Sequence, residues 1–390
     1  MPLAEALKDA GHDVAFAVPA PLGPVIEGAS FTFFPAGGDR EKDPEFQHLM
    51  AQLRTMPPGP ESERVIFGKV FTGVNPRLMV PDLVEIARAW KPDMLIREGA
   101  EFGAVIAAEV LGLPYADVCP GAYLKGIGAF EQGAHTNLDP IRESWGLPPD
   151  PSLEALHRYL MIAYSPPTFV DANIGVPGSY PLTTRFFHAQ LFDGAGRKGL
   201  PDWVSSLPEQ PTVYVTLGTE ANNMPGIYPG VLRTIIEGLR DERVNLIVTL
   251  GLDKDPADFG SQPPNVRVER YIPQSLLLPL CDLIVMHGGS NSLLQALDLG
   301  LPMVVIPLIA DQFVNGAVVQ ALGLGQTVQL SELSAETIRR AAREVLSNSD
   351  YRRNVRRLGD EMHALPDISQ AVELVEQTIV EHEQALALRS

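Results

Sequence analysis

Short apolar runs alternate with amphipathic stretches along nearly the whole chain. In the second half the runs are unbroken: 212–217, 244–249, 283–286 and 303–307 are four to six residues long and rich in β-branched side chains. That length without polar alternation predicts strands buried on both faces of a parallel sheet. Between them, 228–239 and 290–299 carry apolar side chains at helical spacing, and Gly300 with Pro302 predicts where the second helix stops. A short strand over 266–268 leads to Arg270-Tyr271-Ile272-Pro273-Gln274 and a helical turn from Ser275. Beyond residue 334 the pattern is helical, with Ser334-Ala335-Glu336-Thr337 as a cap. Leu365-Pro366 is a break, and a final amphipathic helix over 368–388 has glutamates on its polar face.

The first half is wound in the same way. A short helix over 1–10 ends at Gly11, and strands are predicted over 14–18, 31–34, 94–96 and 114–118, with a helix over 102–111. Residues 55–60, Thr-Met-Pro-Pro-Gly-Pro, read as an exposed loop. Residues 62–90 read as a helical stretch interrupted by Pro76 and Pro81. Residues 119–165 read as irregular to helical, with Tyr123, Phe130, His135 and Trp145 among glycines. Between 185 and 211 the composition shifts to Gly, Pro and charge, which predicts the linker of a two-domain, doubly wound α/β chain. The start is unusual: a helix feeding a strand is half of a βαβ unit, and no strand precedes it.

Composition narrows the class. A chain of 390 residues with 45% hydrophobic side chains has enough apolar mass for two cores. A net charge of −18 opposes nucleic acid or an anionic membrane as partner, although a local helix end can still hold an anion. Cys119 and Cys281 have no partner at metal-ligand spacing and read as buried thiols; no metal site is expected. No signal peptide and no apolar run of roughly 20 residues is visible, so a cytoplasmic location is expected.

The chemistry concentrates between residues 281 and 325. The strand 283–286 runs straight into His287-Gly288-Gly289, and Ser290-Asn291-Ser292 opens a helix. Free N–H groups at a helix start favour an anion, a phosphate above all. The strand 303–307 is followed by Asp311-Gln312, which would face the same crevice. A second turn, Gly218-Thr219, follows the strand 212–217. Taken alone, a Gly-Gly pair is more often just a tight turn.

The whole string resembles the donor-binding box of the GT-B, family 1 nucleotide-sugar glycosyltransferases, in their small-molecule branch. The shared pattern is His-Gly-Gly, a polar turn, a helix, Gly-Leu-Pro, an apolar strand and Asp-Gln, preceded by Leu-Gly-Thr and Tyr-Ile-Pro-Gln. The resemblance implies two Rossmann-like domains facing across a cleft, an acceptor-binding one over 1–195 and a nucleotide-sugar one over 208–364. It also implies a C-terminal helix, 365–390, that crosses back to the first. Gly218, Thr219, His287, Gly288, Gly289, Ser290, Asn291 and Ser292 would hold the pyrophosphate, and Tyr271, Ile272 and Gln274 the base. Asp311 and Gln312 would bind the sugar. The activity implied is inverting, metal-independent transfer of a deoxysugar from a dTDP- or UDP-sugar to a hydroxyl of a small hydrophobic natural-product aglycone. No cofactor beyond the nucleotide sugar is implied, and a homodimer is left open. Gln295 stands where plant members carry a glutamate that grips both ribose hydroxyls, a departure that favours a dTDP-deoxysugar.

The resemblance places the family's general-base histidine on a first strand and Gly-rich loop upstream of Met1. His12 matches a turn residue, not the base, and His135 is the one histidine of 119–165 that could substitute. Glu98, at the end of the strand 94–96, corresponds to the carboxylate that orients the base; the plain alternative is a solvated side chain or a partner of Arg97. A misassigned start or shortened chain is expected. The other readings are a non-catalytic homologue that binds nucleotide sugar, or a nucleotide-sugar 2-epimerase on the same fold.

Overall fold

A computed structural model of the chain describes residues 1–56, 60–119, 128–175, 177–188, 199–218 and 226–388. Contacts divide the chain into two units: Met1–Ser165, Gly178–Ala189 and Pro366–Ser390 form the first, Pro166–Pro177 and Gln190–Leu365 the second.

In the first unit β1 (Ala15–Val18) pairs in parallel with β2 (Thr32–Pro35). A separate parallel sheet runs β3 (Leu95–Glu98), β4 (Tyr115–Cys119), β5 (Leu160–Ala163), β6 (Thr184–Phe186) in that order. Among the described residues, β1 and β3 each keep one edge without a strand partner. The tract read as irregular to helical holds both a helix, Gly128–Ser144, and the fully buried β5. The helical stretch before Trp90 is not broken by its prolines. A π-helical segment, Ile66–Val74, joins Pro60–Val65 to Asn75–Trp90; Pro76 falls in the first turn of the last helix, where a missing N–H leaves no bond unmade, and Pro81 lies inside it. The Gly68 carbonyl of the π segment accepts from Asn137 Nδ2 at 2.7 Å. Gly133 allows that approach, since a Cβ there would meet Gly68 Cα at 2.5 Å. The last helix, Ala371–Ala387, packs on the first helix, Pro2–Asp9, and on β5. His382 ties it down, with Nδ1 at 3.0 Å from Tyr159 Oη and Nε2 at 2.8 Å from the Gly112 carbonyl.

The second unit is one six-stranded parallel sheet. Its strands are β7 (Thr212–Thr216), β8 (Asn245–Thr249), β9 (Val266–Glu269), β10 (Leu283–Met286), β11 (Met303–Val305) and β12 (Gly325–Thr327), in spatial order β12-β11-β10-β7-β8-β9. Every residue of β7, β8, β10 and β11 is buried, which is why their sequences show no alternation. Val213, Val215, Leu246, Val248, Leu283, Val285 and Val304 form the centre of the core. Truncating one such leucine to alanine costs about 2–5 kcal/mol. Ser334 and Thr337 close a reciprocal capping box at the helix Ala335–Ser347, as the sequence predicts. Cys119 and Cys281 are buried thiols that form no disulfide, and burial pushes the Cys281 thiol up to about 12. Among the described residues no helix is long and apolar enough to cross a membrane.

Candidate functional site

The chain winds outward from β7 through β8 to β9, then restarts at β10 on the other side of β7 and continues through β11 to β12. Neighbouring strands that lead in opposite directions leave a crevice at their carboxyl ends, the usual ligand position of such sheets. Thr216 of β7 stands opposite Met286 of β10, so the turns after them, Gly218 and His287-Gly288-Gly289, are brought together. Both turns need glycine. Gly218 has φ +70° and Gly288 φ +91°, and a Cβ on Gly218 would meet His287 Nε2 at 2.7 Å; one on Gly289 would come closer still. The imidazole is wedged between two bare backbones. Thr219 lies outside the described residues.

The helix Ser290–Asp298 starts at this point from Gly289, with no side chain capping it. A glycine at the N-cap supplies no side chain to the first N–H groups, and the positive helix end lies at the crevice. The contrast with the first unit is instructive. There the helix Gly103–Leu111 is capped by Glu101, which accepts from Gly103 N at 2.9 Å and Ala104 N at 2.7 Å. The first of these helix starts is filled by a carboxylate of its own chain, and the second has a glycine, Gly289, at its N-cap.

His287 keeps part of its ring edge at the surface, yet dense surroundings desolvate it and lower its pKa to about 4. Its Nδ1 is buried without a partner among the described residues. At neutral pH it is therefore an uncharged imidazole. Asp311 Oδ2 accepts from Ser290 Oγ at 2.6 Å and from Asn315 Nδ2 at 3.1 Å, while burial pushes its carboxyl up. The Ser290 hydroxyl is thus spent on Asp311, and what the turn offers an anion there is backbone. Gln312 Oε1 accepts from Leu308 N at 2.9 Å and Ile309 N at 3.0 Å, which bends the loop behind Asp311 and leaves the amide nitrogen for a ligand. Asn315, which the sequence reading passed over, is fully buried and joins Asp311 to the Gly288 carbonyl at 2.9 Å. Its position four residues after Asp311 on one helix face was the available signal.

Gln274 begins a short helix after Pro273, and its Oε1 accepts from Ser292 Oγ at 3.3 Å; its Nε2 is buried without a partner among the described residues. Gln295, one turn on from Ser292, is 8% exposed, and neither amide atom has a partner among the described residues. Ile272 is buried in the core, so only its main chain is available to a ligand, whereas Tyr271 is half-buried. Orphaned buried amides on one side of an open helix start are what a polar ligand would satisfy.

Sequence comparison identifies the family. The model for the N-terminal domain of erythromycin biosynthesis protein CIII-like proteins matches residues 5–218, more than half of the chain, and the model for their C-terminal domain matches 234–378. The chain belongs to this family. It is a glycosyltransferase of the GT-B fold. Aklavinone 7-beta-L-rhodosaminyltransferase of Streptomyces galilaeus is 29% identical over 98% of this chain and 93% of its own length. Tylactone mycaminosyltransferase of Streptomyces fradiae is 26% identical over 94% and 86%. Among solved structures, a spinosyn rhamnosyltransferase superposes with TM-score 0.77 at 24% identity, covering 96% of this chain and 95% of its own, and it has also been solved with thymidine diphosphate and with spinosyn aglycone.

In the first unit of this glycosyltransferase, Glu98 is exposed at the end of β3, and its Oε2 accepts from Ala100 N at 2.9 Å. Arg97 does not pair with it. Its side chain points to the other face and is fully buried, bonding Asp117 Oδ2 at 2.6 Å and the Gly99 carbonyl at 2.8 Å. His135, the histidine that could substitute as base, stands exposed on its helix, and the turn residue His12 has its Nε2 3.0 Å from Glu376 Oε1. Tyr123 lies outside the described residues.

Proposed function

We propose that the chain is an inverting, metal-independent glycosyltransferase that moves a deoxysugar from a dTDP- or UDP-sugar to a hydroxyl of a small, hydrophobic natural-product aglycone. The observation that carries the donor half is the switch point of the second unit. There a helix start with glycine at its N-cap, two glycine turns and the neutral ring of His287 converge beside the half-buried carboxylate of Asp311. Backbone N–H groups and the imidazole would take up charge as it builds on the leaving nucleoside diphosphate. Asp311 would accept from sugar hydroxyls and so orient the anomeric carbon. Gln274 and Gln295 would recover the cost of their unmade hydrogen bonds, about 1–3 kcal/mol each, against the nucleoside. The relatives named for transfer to aklavinone and tylactone, with one named as a 2-deoxy-L-fucose transferase, support a deoxysugar and a natural-product acceptor. Glu98 would be the base-orienting carboxylate, and no histidine of the chain is assigned as the base.

Calorimetric titration of the chain with dTDP and with UDP, repeated on His287→Ala, tests this. Micromolar binding lost in the variant supports the donor site, and the ratio of the two affinities names the base. A folded chain that binds neither nucleotide overturns the reading. The second reading, donor binding without turnover, draws on the occupied ring of His12 and the exposed position of His135. It predicts nucleotide affinity with no sugar transfer to any aglycone.

A further inference from the structure

We propose that Asn315 is a positioning residue that aims Asp311 at the donor sugar, using the phosphate turn as its anchor. The proposal rests on the reading of the donor site given above. Asn315 is 0% exposed on the helix Gln312–Ala321, and both hydrogens of its amide are committed: one to the Gly288 carbonyl at 2.9 Å, the other to Asp311 Oδ2 at 3.1 Å. Both partners are acceptors, which fixes the amide with its nitrogen toward them. Its Oδ1 is left buried without a partner among the described residues, a cost the fold carries to keep the two donated bonds.

The anchor is stiff. Gly288 has φ +91°, and a Cβ there would meet Val305 of β11 at 2.8 Å, so the carbonyl that holds Asn315 belongs to backbone packed against the sheet. Asp311, by contrast, follows Ala310 at φ +62°, in a loop otherwise held by Gln312. Ser290 Oγ at 2.6 Å and Asn315 together occupy Oδ2, so rotation of the carboxylate is held from two sides and Oδ1 is the oxygen that neither of them takes. Removing Asn315 frees that rotation and takes from the glycine turn one bond, that to the Gly288 carbonyl, while the packing of Gly288 against Val305 holds the turn in place. The sugar grip should weaken, and the phosphate grip should not.

The test is calorimetric and needs no acceptor. The dissociation constants of dTDP and dTDP-glucose, or of UDP and UDP-glucose, are measured for the wild-type chain, Asn315→Ala, Asp311→Ala and the double variant. The expected result is that Asn315→Ala raises the ratio of the sugar-nucleotide constant to the diphosphate constant about tenfold, with diphosphate binding unchanged within about threefold. In the Asp311→Ala background the same substitution should add less than about twofold, because its effect runs through that carboxylate. Equal weakening of diphosphate and sugar nucleotide would overturn the proposal and make Asn315 a structural residue. So would an unchanged ratio in Asn315→Ala when Asp311→Ala raises it. An unchanged ratio in Asp311→Ala itself would instead remove the sugar role of Asp311, and wild-type chain that binds no nucleotide would remove the donor-site reading altogether. Should Asn315→Ala fail to fold, Ser290→Ala opens the same lock from the other side without touching Gly288, and the same ratio must rise.

Discussion

A desolvated imidazole at the centre of the site makes the stability of the second unit depend on pH in a calculable way. His287 titrates near 4 in the folded chain and near 6.5 when unfolded. Between those values the unfolded state carries the extra proton, so stability rises with pH: it is fully present above about 6.5 and is lost as pH falls toward 4. Integrating the proton difference from pH 7.5 to pH 5.0 gives a loss of about 2 kcal/mol from this residue alone. Acidic side chains contribute their own pH dependence, but equally in the wild type and in His287→Gln, so the difference between the two isolates the imidazole. Trp203 is the one tryptophan of the second unit, the others being Trp90 and Trp145. With those two replaced by phenylalanine, its fluorescence follows urea unfolding of that unit. At pH 7.5 and 5.0 the wild type should lose about 2 kcal/mol more than the variant. Equal losses would refute the buried, neutral state of His287, and with it the view that the ring meets a diphosphate as an uncharged donor.

Three further outcomes follow from contacts around the two sites. Gly289→Ala should displace the His287 ring, because the added methyl has no space beside Nε2; nucleotide affinity by calorimetry should fall by about 100-fold while circular dichroism stays native. Arg97→Met should cost the first unit about 3–5 kcal/mol in urea unfolding, since it strands the buried carboxylate of Asp117; adding Asp117→Leu should recover most of that loss. Gln295→Glu should shift the ratio of UDP to dTDP affinity toward UDP by about 3- to 10-fold, because a carboxylate accepts from two ribose hydroxyls where the amide accepts from one; calorimetry with both nucleotides checks it.

Why these sites differ in how readily they are seen in the sequence has a physical basis. β7, β8, β10 and β11 are buried on both faces, so their positions demand apolar, mostly β-branched residues, and the runs stand out unaided. The glycines beside His287 announce themselves for a related reason: backbone at positive φ, or pressed against an imidazole, excludes every other side chain. β5 carried a comparable signal in Leu-Met-Ile-Ala, but the tyrosines and histidine around it blur the boundary that turn residues draw elsewhere. The π-helical segment lay beyond periodicity, because its wider turn is stabilised by a partner 69 residues away, Asn137, and not by local spacing. Pairings are the hardest to see. Nothing in the string Arg97-Glu98 says that the arginine turns inward to Asp117 while the glutamate stays outside, since either arrangement suits a strand end. Ser290, Asp311 and Asn315 likewise read as three separate polar residues. They become one device only because a parallel sheet sets β10 beside β11, which brings the helix starting at Ser290 within hydrogen-bond reach of the helix starting at Gln312. The residue types of a donor site are thus written locally, and the hydrogen bonds that decide which oxygen faces the sugar are written by topology.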